Sequence, residues 1–133
     1  MKKKKVLDSF ALLAYLKMEG KYKKIKDLLS SDEVRLLMND INLGETFYIL
    51  ARERGIEKAE YFISTIFASL PIQDVANTFQ DVLEAARIKA NHSLSYADCF
   101  AVALALKENA PIVTGDPEFK KVQKVVEIEW MVL

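Results

Sequence analysis

The chain has 133 residues, 51% of them hydrophobic and 29% charged, with four glycines and three prolines. That is the size and make-up of one ordinary folded domain with its own core, and it excludes a disordered chain or one held together by long irregular linkers. Nineteen basic and nineteen acidic residues cancel, which counts against a protein that grips nucleic acid by net charge alone.

In chain order, Val6–Leu7 ends a short buried strand opened by lysines, and Ser9–Met18 is an apolar helix stopped by Gly20. Tyr22–Leu29 reads as a basic helix and Val34–Met38 as a second strand. Ile41–Arg54 is helical, with Gly55 at its C-terminal end, where a left-handed residue is favoured. Ile56–Ala68 is a further amphipathic helix, Pro71 turns the chain into a third strand near Ile72, and Val75–Ala90 is helical. Ser95–Lys107 is a strong helix with Ala97, Ala101 and Ala105 on its inner face. Pro111–Thr114 is a fourth strand, Pro117–Lys121 one helical turn, and Val125–Trp130 a fifth strand. Short apolar strands separated by helices predict an α/β fold, a parallel sheet covered on both faces, in one domain spanning residues 1–133. In such sheets ligands bind beyond the carboxyl ends of the strands, near a switch in strand order.

No apolar run approaches the roughly 20 residues that a membrane-spanning helix needs. Lys2–Lys5 has the charge of a signal-peptide start, but Asp8 interrupts the apolar stretch behind it and no small-residue cleavage site stands at the usual place. The single cysteine, Cys99, cannot form an internal disulfide, so a soluble protein of the reducing cytoplasm, without a membrane partner, is expected.

The informative feature is where four acids fall. Asp8 ends the first strand and Asp116 lies just past the fourth, so both belong to the carboxyl edge of the sheet. Glu45 has Ile41, Asn42, Tyr48 and Ile49 three and four positions away; Asp98 has Leu94, Ser95, Ala101 and Val102. Neither has a basic helical neighbour to pair with, and an acid on an apolar helix face is costly unless something positive meets it. Each acid has a plainer reading: Asp8 as the cap of the helix at Ser9, Ser95–Asp98 as a capping box, Asp116-Pro117 as the start of a helical turn, Glu45 paired with a distant Lys or Arg. Together they are more specific. Carboxylates about 5 Å apart repel by roughly 3 kcal/mol per pair at an effective dielectric near 20. A cluster of four stays ionised only around cations, and oxygen ligands without Cys or His suit Mg2+ or Mn2+. One or two such ions ionise a water and steady a phosphate for in-line attack, which is nuclease chemistry without histidine.

At these residues the sequence resembles the PIN-domain family and, within it, the VapC-like toxins of toxin–antitoxin pairs. The segments are Val6-Leu7-Asp8-Ser9, Asn42-Leu43-Gly44-Glu45, Leu94-Ser95-Tyr96-Ala97-Asp98 and Val113-Thr114-Gly115-Asp116-Pro117-Glu118-Phe119, in the family's order and covering essentially the whole chain. The resemblance implies a five-stranded parallel sheet ordered 3-2-1-4-5 and flanked by helices. It implies a metal-dependent endoribonuclease that leaves a 5′-phosphate and a 3′-hydroxyl. Asp8 and Asp98 match the most direct metal ligands and Glu45 and Asp116 the supporting acids. Thr114 matches a residue that orders this edge, Ser9 and Asn42 stand at commonly polar positions, and Glu118 lies near a place where some relatives carry another acid. A homodimer and a small antitoxin that enters the site are implied as well. Tyr48, Tyr61, Phe62, Ile66 and Phe67 offer material for such contacts, although core packing is the plainer reading for most of them. Competing functions are housekeeping RNA processing, cleavage of structured DNA, or a non-catalytic module whose acids receive a partner's arginine. His92 reads as a turn residue, Cys99 and Trp130 as packing, and Lys2–Lys5 as a solvated strand entrance. Arg52, Arg54, Lys58, Lys120 and Lys121 are candidate phosphate contacts.

Overall fold

In the computed structural model, which describes residues 2–131, five short apolar segments pair into one parallel sheet. They are β1 (Lys3–Leu7), β2 (Val34–Asn39), β3 (Ile72–Val75), β4 (Ile112–Thr114) and β5 (Ile128–Trp130), in the order β3-β2-β1-β4-β5. The predicted class and strand order are those observed. Successive strand residues face opposite sides: Val6, Leu37 and Ile112 enter one core, while Leu7, Leu36, Met38 and Val113 enter the other. Burial on both faces explains why these strands read as continuous apolar runs.

Helices α1 (Ser9–Lys17), α2 (Lys23–Leu29), α3 (Asp40–Arg54) and α4 (Ile56–Tyr61) occupy the first half of the chain. A turn of π-helix at Phe62–Ile66 leads into α5 (Phe67–Ser69). Helices α6 (Phe79–Asn91) and α7 (Tyr96–Glu108) follow, and a 3-10 segment at Pro117–Val122 precedes β5. The π turn breaks the predicted Ile56–Ala68 helix, with Phe62 buried and set edge-on to Phe67.

Among the other boundaries that differ from the sequence reading, three have a clear local reason. The predicted helix over Val75–Ala90 starts only at Phe79, because Val75 pairs with Asn39 in the sheet and Thr78 and Asp81 close a reciprocal capping box. Strand β5 starts at Ile128 rather than Val125, since the Val125 and Val126 amides are spent on turn bonds to the Val122 carbonyl at 2.9 and 3.0 Å. Helix α1 ends before Gly20: Met18 takes the left-handed conformation, φ 53°, and its amide caps the carbonyls of Ala14 and Tyr15. The Thr78–Asp81 box is on the surface and holds Asp81 below the usual carboxylate range, chiefly through the Thr78 amide. Thr78→Ala is expected to lower the unfolding free energy by about 1 kcal/mol in urea titrations.

Strand β1 lies between β2 and β4, so the chain runs outward on one side and returns to fill the other. The crevice beyond the carboxyl ends of β1 and β4 is the switch point at which this architecture binds ligands.

Candidate metal centre

Asp8 leaves β1 at that crevice and caps α1, its Oδ1 accepting from the Ala11 amide at 2.9 Å. The capping reading of Asp8 is therefore observed, and its second oxygen makes a separate contact. Oδ2 accepts from the Thr114 hydroxyl at 2.5 Å, while Thr114 Oγ1 accepts from the Asp116 amide at 3.0 Å. A hydroxyl has one proton; with the main chain donating to its oxygen, that proton is directed at Asp8. Asp8 is 1% exposed. Burial pushes its pKa from 3.8 up to about 7, against the two hydrogen bonds and with added repulsion from Asp98 and Asp116.

Asp98 stands in the first turn of α7, where the Ser95 hydroxyl oxygen accepts from its amide at 3.2 Å. Unlike Thr78–Asp81, the Ser95–Asp98 pair closes no reciprocal box among the described residues, so the carboxylate is not consumed by capping. Its pKa rises to about 6, first through burial, with Glu45, Asp116 and Glu118 adding repulsion and a Ser95 side-chain bond opposing. Glu45, on α3, accepts from the Ser9 hydroxyl through Oε1. One turn earlier Asn42 donates from Nδ2 to the Ala97 carbonyl at 3.0 Å, which ties α3 to α7 beside Asp98. Asp116 caps the 3-10 segment, its Oδ1 accepting from the Glu118 amide at 2.9 Å.

The four acids thus share one edge, and none has an ion-pair partner among the described residues. Glu118 differs: it is exposed and paired with Lys121 at 3.1 Å. Because a hydrogen bond to a buried charge is worth about 1–3 kcal/mol, Thr114→Val is expected to lower stability by that amount at pH 8 in urea unfolding, where Asp8 is ionised.

The donor set suits a hard divalent cation, since it is all oxygen. Asn42 adds to it: Oδ1 is fully buried, without a hydrogen-bond partner among the described residues, one helical turn from Glu45. In the sequence Asn42 shows no more than polarity at a helical position; the spacing of three residues before Glu45 is the signal that sets both on one face. As placed, no three acids, cysteines or histidines of the described residues stand close enough together to enclose an ion. The carboxylates lie within electrostatic reach of one another but not in one coordination sphere, a looser arrangement than the few-ångström meeting expected from the sequence.

The remaining candidates separate. Lys2–Lys5 lie at the start of β1, the opposite end from the acids, where Lys4 pairs with Glu108 and Lys5 with Glu129. Burial pushes the Cys99 thiol up, as for a packing residue. Arg52 stacks over Tyr48, and Lys121 also donates to the Ser93 carbonyl. Tyr48 and Tyr61 are exposed, whereas Phe62 is buried and Ile66 and Phe67 partly so. No helix among the described residues is long and apolar enough to cross a membrane.

Comparison with known proteins gives the same architecture. The PIN-domain family model matches residues 5–125. VapBC2 from Rickettsia felis, solved bound to a promoter DNA fragment, superposes with TM-score 0.72 at 18% identity, over 96% of this chain and 98% of that one. VapC20 of Mycobacterium tuberculosis, described as a sarcin–ricin loop cleaving toxin, gives 0.72 at 19% identity, over 87% and 92%. DNA-bound VapBC from Salmonella typhimurium gives 0.71 at 19%, over 99% and 100%. Identities this low carry the fold. No curated protein is significantly similar in sequence.

Proposed function

The chain belongs to the PIN-domain family, and on that premise we propose that it is a divalent-metal-dependent endoribonuclease, the toxin of a VapBC-type toxin–antitoxin pair. The observation that carries this reading is four carboxylates at the β1/β4 switch point without cationic partners among the described residues, two of them buried with raised pKa values.

Asp8 and Asp98 would be the direct ligands of Mg2+ or Mn2+, with Glu45 and Asp116 in support. A bound ion would offer positive charge to a phosphate and ease the loss of a proton from the water that attacks it. The protein's own part is orientation. Thr114 fixes Asp8, Ser9 fixes Glu45, and Asn42 sets the spacing of Glu45 and Asp98 through the Ala97 carbonyl. Glu118, outside this web and paired with Lys121, shapes the local charge.

The fold neighbours include complexes of VapBC type, and a small antitoxin is the proposed protein partner, in the cytoplasm. Ile41, Tyr48, Ile56 and Tyr61 leave apolar surface exposed along α3 and α4, which serves antitoxin docking or a homodimer. The test is a cleavage screen over tRNA, rRNA and mRNA with Mg2+ or Mn2+. Cleavage to 5′-phosphate products, stopped by EDTA and restored by Mn2+, is expected; cleavage indifferent to EDTA would refute the metal requirement.

A further inference from the structure

An apolar cavity adjoins the acidic edge and has no part in holding a cation. Phe10, two positions after Asp8, is 42% exposed. Its ring packs against Gly115, between Thr114 and Asp116: a Cβ on Gly115 would fall 2.6 Å from Phe10 Cε1, so a side chain there would displace the ring. Beside it lies a cavity of about 470 Å³ lined by Phe10, Leu13, Ala14, Gly115 and Met131. Lys17, Glu19 and Lys21 reach the same cavity, two bases against one acid. Lys17 is engaged with Glu53, whereas Lys21 is exposed and has no ion-pair partner among the described residues.

We propose that this cavity receives an unpaired base of the RNA, stacked on Phe10, with Lys21 meeting an adjacent phosphate. The inference rests on the nuclease reading and adds to it a site for one base beside the acids. The volume is within the roughly 300–1,000 Å³ of small-molecule sites. A flat uncharged base suits an aromatic ring over apolar walls, and the basic rim suits what a nucleotide carries beside its base. An apolar peptide would fill the walls without using Lys21. The cavity meets the acids through Gly115 itself, so a base held there belongs to a nucleotide next to the one being cut.

Fluorescence anisotropy with single-stranded rA5, rC5 and rU5, in Ca2+ in place of Mg2+, tests this without relying on turnover. Phe10→Ala and Phe10→Leu are each expected to weaken binding about 5- to 150-fold, the worth of one stacked base, and Phe10→Trp to restore it. Leucine keeps the apolar packing, so a loss shared by both variants reports the missing ring rather than a damaged fold. Lys21→Ala is expected to flatten the salt dependence of binding. Pentamer affinities within about twofold of wild type in both Phe10 variants would overturn the proposal and leave the cavity to a protein side chain. Binding that depends on Phe10 without metal-dependent cleavage of any RNA would sustain the pocket and refute the nuclease reading; cleavage with binding indifferent to Phe10 would refute the pocket alone.

Discussion

Asp98→Asn is expected to lower single-turnover RNA cleavage at saturating Mn2+ by at least about 10³-fold, a loss of about 4 kcal/mol of transition-state stabilisation. The change is nearly isosteric, and the cap on α7 runs through the Ser95 hydroxyl and the residue-98 amide, which asparagine keeps. It removes a charge whose pKa is already driven up to about 6 by burial and by neighbouring acids, so folding does not suffer. Lost activity with an unchanged or higher melting temperature is therefore the signature of a ligand, whereas a structural role would lower both. Glu84→Gln is the control, because it touches only the exposed Arg87 pair, and surface pairs of that kind contribute about 0–1 kcal/mol. A fall of less than about tenfold in Asp98→Asn, about 1.4 kcal/mol of barrier, would remove Asp98 from the reaction.

Asp8→Asn is expected to abolish cleavage and, in the metal-free protein at pH 8, to raise the unfolding free energy by up to about 4 kcal/mol. The folded pKa of Asp8 is about 7 against 3.8 for the ordinary carboxyl; between those values the folded protein keeps a proton that the unfolded chain has released. The contribution of Asp8 is then full below about pH 4 and lost as pH rises to about 7. Asparagine mimics the protonated carboxyl, still able to cap α1, so the two proteins match at pH 4 and diverge as pH rises. Asp81 and Glu129, both held low by hydrogen-bonded partners, act in the opposite sense at acid pH in both proteins and cancel in the difference. Urea unfolding of the pair across pH 4–8 reads this directly; parallel stability curves would show that Asp8 ionises as freely as a surface acid. Added Mn2+ should stabilise wild type and leave Asp8→Asn unmoved, since a cation stabilises the state that binds it.

Strand identity was legible because burial on both faces leaves short continuous apolar runs bounded by polar or turn residues, as in Val6–Leu7 and Pro111–Thr114. Boundaries were less so. Thr78 and Asp81 carry a capping signature that the apolar pattern beginning at Val75 overrode, and Met18 adopts a conformation that glycine at position 20 was expected to supply. The π turn at Phe62–Ile66 is a packing outcome with no local signal. At the site, the position of each acid along the chain could be read from strand ends and missing helical partners. The donors that orient them could not, because Ser9 to Glu45 and Thr114 to Asp8 join residues 36 and 106 positions apart. Phe10 over Gly115 was invisible for the same reason.

Anomalous diffraction from crystals soaked in Mn2+ puts the question to the acids themselves. An ion at the carboxyl edge of β1 and β4, bonded to oxygens of Asp8 and Asp98 and lost in Asp98→Asn, is the expected result. No ion at that edge at millimolar Mn2+, or a lysine or arginine side chain found neutralising Asp8 and Asp98 instead, would contradict it.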